Sequence, residues 1–175
     1  MDGARLFNAC AALDIKPNKI LNNVDSVTFC LSKALSAPIG SILCGSSNFI
    51  DNARYIRKSV GGGMRQSGII AAAGIVSLNH MVERIKDDHK NAQLLASGIS
   101  TISGVGVDIT KVKTNIIYFN INHNTISQAE FVKSTKDRGI LFNDYNGKHC
   151  RLVLHAGITT KDVEKVILEF NKLLS

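Results

Sequence analysis

Tryptophan is absent from the chain, and only two of its 175 residues are proline. So little proline leaves helices and strands free to run, because proline is a common reason for either to stop. Collagen and low-complexity tracts are excluded by composition. The 45% hydrophobic content is too high for a disordered chain and ordinary for a packed globule. No apolar run approaches the roughly 20 residues of a membrane-spanning helix, so no membrane partner is expected. The four cysteines, Cys10, Cys30, Cys44 and Cys150, contain no CxxC pair. They are too sparse for a disulfide framework, and reduced, mostly buried thiols are expected. The chain opens without the basic-then-apolar pattern of a signal peptide or an Arg-rich transit segment, which makes the cytoplasm the expected compartment.

Charge of one sign is in modest excess: 21 Lys and Arg against 14 Asp and Glu, a net +7. The excess is spread along the chain, and neither zinc-finger spacing nor an RNA-binding aromatic signature accompanies it, so nucleic acid is not an expected partner. Its nearest approach to a cluster is Arg54-Tyr55-Ile56-Arg57-Lys58, followed by Arg65. Either this is solvated surface or it is a local site for phosphate or carboxylate.

Hydrophobic periodicity predicts an α/β piece followed by a small α+β unit. Helix is expected over 4–13, strand over 26–31 and 39–44, and an amphipathic helix over 48–58. Residues 66–82 are apolar nearly all round, which predicts a buried helix. A charged helix follows over 83–100. Strand is expected over 115–121, helix over 127–137 with Ser127 and Glu130 as a capping box, and short strands over 139–143 and 150–154. Asn146-Gly147 reads as the turn between those two strands. Thr160 is the expected cap of a last helix over 161–174. The domain boundary falls between 82 and 83.

Several residues attract chemical interest. Lys33 directly follows an apolar strand; it is either simply solvated or held where lost solvation makes its amine nucleophilic toward carbonyls. Asp2 reads as an N-cap or as a ligand-facing carboxylate, since ligands of α/β sheets bind at the carboxyl ends of strands. Gly61-Gly62-Gly63-Met64-Arg65-Gln66 opens a helix, either as a flexible turn or as a place where backbone approaches an anion. Arg151 opens an apolar strand and reads either as a fork for a carboxylate or as an edge charge against aggregation. His149, Cys150 and His155 alternate between strand faces and lack zinc-site spacing, so no metal is expected.

Taken in order, these segments resemble a family. Asp2-Gly3-Ala4-Arg5, Ser26 through Leu35 with Ala37-Pro38-Ile39-Gly40-Ser41, Arg57-Lys58 with Gly61 through Gln66, Thr114-Asn115, and Arg151 through His155 are similar to the low-specificity threonine aldolases. The resemblance implies the carboxyl-terminal part of the large domain of a fold type I, aspartate-aminotransferase-like enzyme over 1–82, with the connecting helix and small carboxyl-terminal domain over 83–175. It implies pyridoxal 5'-phosphate as cofactor, Lys33 as the lysine that forms its Schiff base, and Asp2 as the partner of its pyridine nitrogen. Arg5 matches an arginine near the cofactor and substrate, and Arg151 one near the substrate carboxylate. Lys58 and Arg65 match basic residues near the cofactor phosphate or the substrate, some given across a subunit interface.

The implied reaction is retro-aldol cleavage of threonine or allo-threonine to glycine and an aldehyde, in a homodimer or homotetramer. Family chains are about twice as long, and the half without a counterpart here holds the phosphate loop, the ring-stacking residue and the hydroxyl-proton base. The alternative is therefore a catalytically incomplete fragment that only binds or dimerises. Two local departures stand out: Ala34 in place of a glycine after the lysine, and Ala156-Gly157 where an acidic residue often follows the histidine.

Overall fold

The computed structural model describes residues 1–145 and 147–175, so the expected turn at Asn146 lies outside the described residues. The chain divides into two compact units, Met1–Ile85 and Lys86–Ser175. No helix among the described residues is long and apolar enough to cross a membrane.

In the first unit, β1 (Ser26–Cys30) pairs antiparallel with β2 (Ser41–Gly45), in register from Ser26 opposite Gly45 to Cys30 opposite Ser41. The strand alternates: Val27 and Phe29 face inward while their neighbours are half-exposed. The other edge of β1 takes up residues 1–3 in parallel, where the Gly3 amide donates to Thr28 O at 2.8 Å and the Thr28 amide to Met1 O at 3.1 Å. Glycine is required at position 3, because a β-carbon there would stand 2.9 Å from Val27 Cγ2 and 3.0 Å from Thr28 O. Helix α1 (Leu6–Leu13) and the short α2 (Pro17–Ile20) follow those first residues. Leu6 and Cys10 of α1 pack on Val27, Phe29, Leu31, Ala34, Leu35 and Ala37 to form a small core. Phe7 meets Phe29 edge to face at 5.3 Å.

Helix α3 (Ser47–Ser59) starts on the Ser46 cap, whose hydroxyl accepts from the Phe49 amide, and has no buried residue. Its end explains the glycines that follow. Gly61 has φ +85, and the amides of Gly61 and Gly62 donate back to Lys58 O at 3.2 Å and Arg57 O at 2.8 Å. This is a Schellman closure, in which the left-handed position takes glycine most cheaply. Helix α4 (Gly68–His80) departs from expectation. Only Gly74 and Ser77 are buried, while Ile69, Ile75 and Val76 stand largely in solvent. The sequence predicts burial because the helix has no polar face; the first unit covers only one side of it.

In the second unit, α5 (Ile85–Ser100), whose first residue belongs to the first unit, leads to β3 (Val105–Val107) and β4 (Ile116–Ile121). Then come α6 (Gln128–Asp137), β5 (Asn143–Tyr145), β6 (His149–Val153) and α7 (Thr160–Leu174). The four strands form one antiparallel sheet in the order β3-β4-β6-β5. Ile117 and Phe119 of β4 and Cys150 and Leu152 of β6 point into a core shared with Leu95 and Ile99 of α5, Phe131 of α6 and Val163 and Phe170 of α7.

The Ser127–Glu130 capping box is present. The cap of α7 is Thr159 rather than Thr160, because Asp162 at the third helical position reaches back to the Thr159 amide at 2.8 Å and hydroxyl at 2.6 Å. Those two bonds, the hydroxyl first, hold the Asp162 carboxyl below its usual range. The strand expected at 139–143 appears instead at 143–145. Gly139, at φ +77, closes α6 with the Ile140 amide bonded to Thr135 O, which uses up the residues before Asn143.

The cysteines are free, and only Cys10 and Cys150 are buried; Cys44 is exposed, against the expectation of mostly buried thiols. Strand β2 leaves most of its side chains in solvent. Burial, helped by the Asp144 charge, pushes the Cys150 thiol up to about 12. At pH 8 Cys150 therefore stays protonated and inert. Iodoacetamide treatment followed by peptide mass mapping is expected to label Cys44 within minutes and to leave Cys150 unlabelled until the protein is unfolded.

Candidate functional site

Lys33 is an exposed side chain on a firmly held stretch of backbone. The connection from β1 to β2 folds back on itself through three backbone bonds: Leu31 amide to Gly40 O at 2.9 Å, Ser36 amide to Lys33 O at 2.9 Å, and Ala37 amide to Leu31 O at 3.0 Å. Ser36 takes a left-handed φ of +60 to make this turn. Leu31, Ala34, Leu35 and Ala37 sink into the core, while Ser32 and Lys33 remain outside. Apolar residues on both sides thus fix the lysine's backbone while its amine reaches solvent. The possibility that burial desolvates Lys33 is not met in this chain, since Lys33 is exposed.

Asp2 lies beside Thr28 in the parallel pair, and its Oδ1 accepts from the Ala4 amide at 3.0 Å. It is not the cap of α1, a position held by Arg5, whose side chain makes no capping hydrogen bond. Asp2 instead closes the turn that carries the chain off the sheet. Because residues 1–3 run parallel to β1, the chain leaves both by their carboxyl ends, where α/β sheets bind ligands. Arg5 is half-buried, three residues beyond Asp2.

Lys58 and Arg65 are exposed. The hydrocarbon of Lys58 lies against Gly63, where a β-carbon would stand 2.5 Å from its Cδ, and Arg57 covers Gly62 in the same way. The glycines therefore admit the chain's own basic side chains. Sequence reasoning passed over Thr28 and Ser41. With Arg54 and Arg57 they line a cavity of about 410 Å³ between the hairpin and α3. The signal available was their shared strand phase across the β1–β2 register.

Arg151 lies in the second unit, on β6 between Tyr118 of β4 and Asn143 of β5. It is not an edge charge, because β6 has a strand on either side. Its guanidinium carbon sits 6.0 Å from the Tyr118 ring centroid, and its buried Nε has no hydrogen-bond partner among the described residues. Such an oriented guanidinium with an N–H to spare suits a carboxylate.

The sequence matches the beta-eliminating lyase family over residues 1–122. It is 41% identical over 175 residues to low-specificity L-threonine aldolase 1 of Arabidopsis thaliana, covering 99% of this chain and 49% of that protein. Among solved structures it superposes on threonine aldolase of Leishmania major with a TM-score of 0.76 at 17% identity, over 99% of this chain and 51% of that one. A PLP-dependent aminotransferase of Streptococcus suis gives 0.65 at 16% identity, over 85% and 41%. The chain spans about half the length of the curated relatives it matches. The likenesses in structure establish the fold, part of the α/β architecture of the fold type I PLP enzymes.

Proposed function

This chain belongs to the beta-eliminating lyase family, and we propose from that premise that it is the lysine-bearing part of a threonine-aldolase-type lyase. Its substrates would be threonine and allo-threonine, its products glycine and an aldehyde. The observation that carries this reading is Lys33, an exposed amine on a backbone clamped by buried neighbours, in a chain whose relatives are named low-specificity threonine aldolases.

The cofactor is pyridoxal phosphate, and the residues present suit it. A primary amine at Lys33 matches its aldehyde, the Asp2 carboxylate matches a protonated ring nitrogen, and Arg5 and Arg65 match anionic oxygens. Bound, the cofactor supplies the electron sink for the charge left on the substrate's α-carbon. Lys33 would hold the cofactor through its amine. Asp2 would place negative charge beside the ring nitrogen and so favour its protonated form. Arg151, assigned to the substrate carboxylate, and Lys58 orient the substrate, so that the bond to be broken stands where it is weakest. A homodimer or homotetramer is part of the same proposal.

The test is a spectral titration of the chain with pyridoxal phosphate, followed by an assay for glycine released from threonine. A visible band that Lys33→Ala abolishes is expected, with weak affinity and low turnover for this length of chain. A Lys33-dependent band with no glycine would favour the second reading, a non-catalytic binding or dimerising unit, which the half-length match supports. If no Lys33-dependent band forms, the proposal for this chain is wrong.

A further inference from the structure

The outer face of the second unit's sheet carries an ordered row of rings that the core does not use. Ile117 and Phe119 are the core residues of the middle of β4. Tyr118, between them, points the other way and is 50% exposed. Opposite it in the β4–β6 register stands Arg151, whose guanidinium carbon lies over the Tyr118 ring at 6.0 Å from its centroid. That is the outer limit for attraction between a cation and an aromatic face. His149, two residues back on β6 and so on the same face, meets Tyr118 edge to face at 5.3 Å and 82°. Tyr145 of β5 stacks on His149 in turn, at 5.7 Å with 10° between the planes. Rings half in solvent add little to stability by burial. What the row does is limit where the Tyr118 ring can lie, because His149 takes up one of its sides. The face is open to ligands: Tyr118, Tyr145 and His149, with Asn120, line a cavity of about 430 Å³.

An arginine reaches a carboxylate through a long stem, whose rotational freedom is lost when its N–H groups fork onto the two oxygens. A stem held in place beforehand loses less on binding. Arg151 is anchored at its root by a strand on either side and at its tip by Tyr118. The Nε between these points is buried with no hydrogen-bond partner among the described residues, a cost that an accepting carboxylate oxygen would remove. We infer that Tyr118 is a positioning residue: its ring holds the Arg151 guanidinium in the orientation that receives the substrate carboxylate, and His149 keeps the ring in place. The ring face does this, not the hydroxyl. The inference rests on the carboxylate role proposed for Arg151. A cross-strand pair that served only the sheet would stabilise the fold without changing how Arg151 meets an anion.

Nitrogen-15 relaxation and an acetate titration, both read at Arg151 Nε in the full chain, decide it. The order parameter there should exceed about 0.6 in the unaltered chain and in Tyr118→Phe, and fall below that value in Tyr118→Leu. Sodium acetate, blanked against sodium chloride at equal concentration, should shift the Arg151 Nε–H signal in all three. Its apparent affinity should be about two- to fivefold weaker in Tyr118→Leu alone, the range of an exposed cation–ring contact. Tyr118→Val, ringless and suited to a strand, is measured beside it so that the outcome does not hang on leucine; unmoved Phe119 and Phe170 amide signals check the core. Equal order in the ringless variants and the unaltered chain would overturn the inference and leave the carboxylate role of Arg151 standing. A fall in order at unchanged acetate affinity would make the contact sheet packing only, and the same loss in Tyr118→Phe would assign it to the hydroxyl; either overturns the inference. An Arg151 signal that acetate does not move in the unaltered chain would remove Arg151 from carboxylate binding, and the inference with it.

Discussion

Phe170→Ala is expected to lower the stability of the second unit by about 3–5 kcal/mol, the range for removing a large ring from a packed core. Phe170 is fully buried on α7, where its ring lies 4.8 Å from that of Phe131, 5.7 Å from that of Phe119 and 5.9 Å from that of Phe142. These rings come from α6, β4 and the segment before β5, so one side chain joins three pieces of chain that are distant in sequence. Alanine would leave a void ringed by three rigid aromatic side chains, which collapse into it poorly. Leu168→Ala on the same helix, with the side chain half in solvent, is the control and should change stability by less than about 0.5 kcal/mol. Urea unfolding followed through amide exchange at Phe119 separates this unit from the other. Equal losses for the two variants would mean that the aromatic cluster does not hold the unit together.

Asp2→Asn is expected to leave the fold intact and to cut turnover by about 10²- to 10³-fold, the loss typical of removing one preorganised electrostatic partner. The asparagine side-chain carbonyl can still accept from the Ala4 amide as Oδ1 does now, at 3.0 Å. The parallel pairing with Thr28 uses only backbone atoms. What disappears is the negative charge proposed to keep a proton on the cofactor's ring nitrogen. The measurement is glycine formation by the chain co-expressed with the unmatched half of the Arabidopsis aldolase, with thermal unfolding of the variant as the check on folding. Full activity in Asp2→Asn would remove Asp2 from the proposed machinery.

Much of the fold was legible in residue patterns, and the failures have identifiable causes. β1 announces itself because Val27 and Phe29 alternate with smaller or polar neighbours. The α6 cap is a local motif that needs no tertiary information. The α7 cap was misplaced by one residue because two threonines stand side by side, and only the reach of Asp162 decides between them. β5 was placed too early because Ile140 is apolar enough for a strand, yet Gly139 makes it part of a helix closure. For α4, the absence of a charged side predicts a buried helix, yet only Gly74 and Ser77 are buried, because how much of a helix its neighbours cover is not written in its own residues. That Arg151 lies on an inner strand depends on strand order, which no single-strand pattern contains. The proposed site residues stand out only through a resemblance between whole segments; taken singly, Lys33 or Asp2 is an ordinary surface charge.

The folded-back connection around Lys33 has a consequence for timing. With backbone bonds at Leu31, Ser36 and Ala37 and four apolar anchors in the core, the peptide segment has no hinge to open. Only the lysine's own methylene arm can swing, and exposed side chains change rotamer in picoseconds to nanoseconds, whereas loops rearrange in nanoseconds to microseconds. A ligand leaving or returning to that amine would then wait on bond making and breaking rather than on a gate. Solvent viscosity should therefore leave the rate of exchange at Lys33 nearly unchanged.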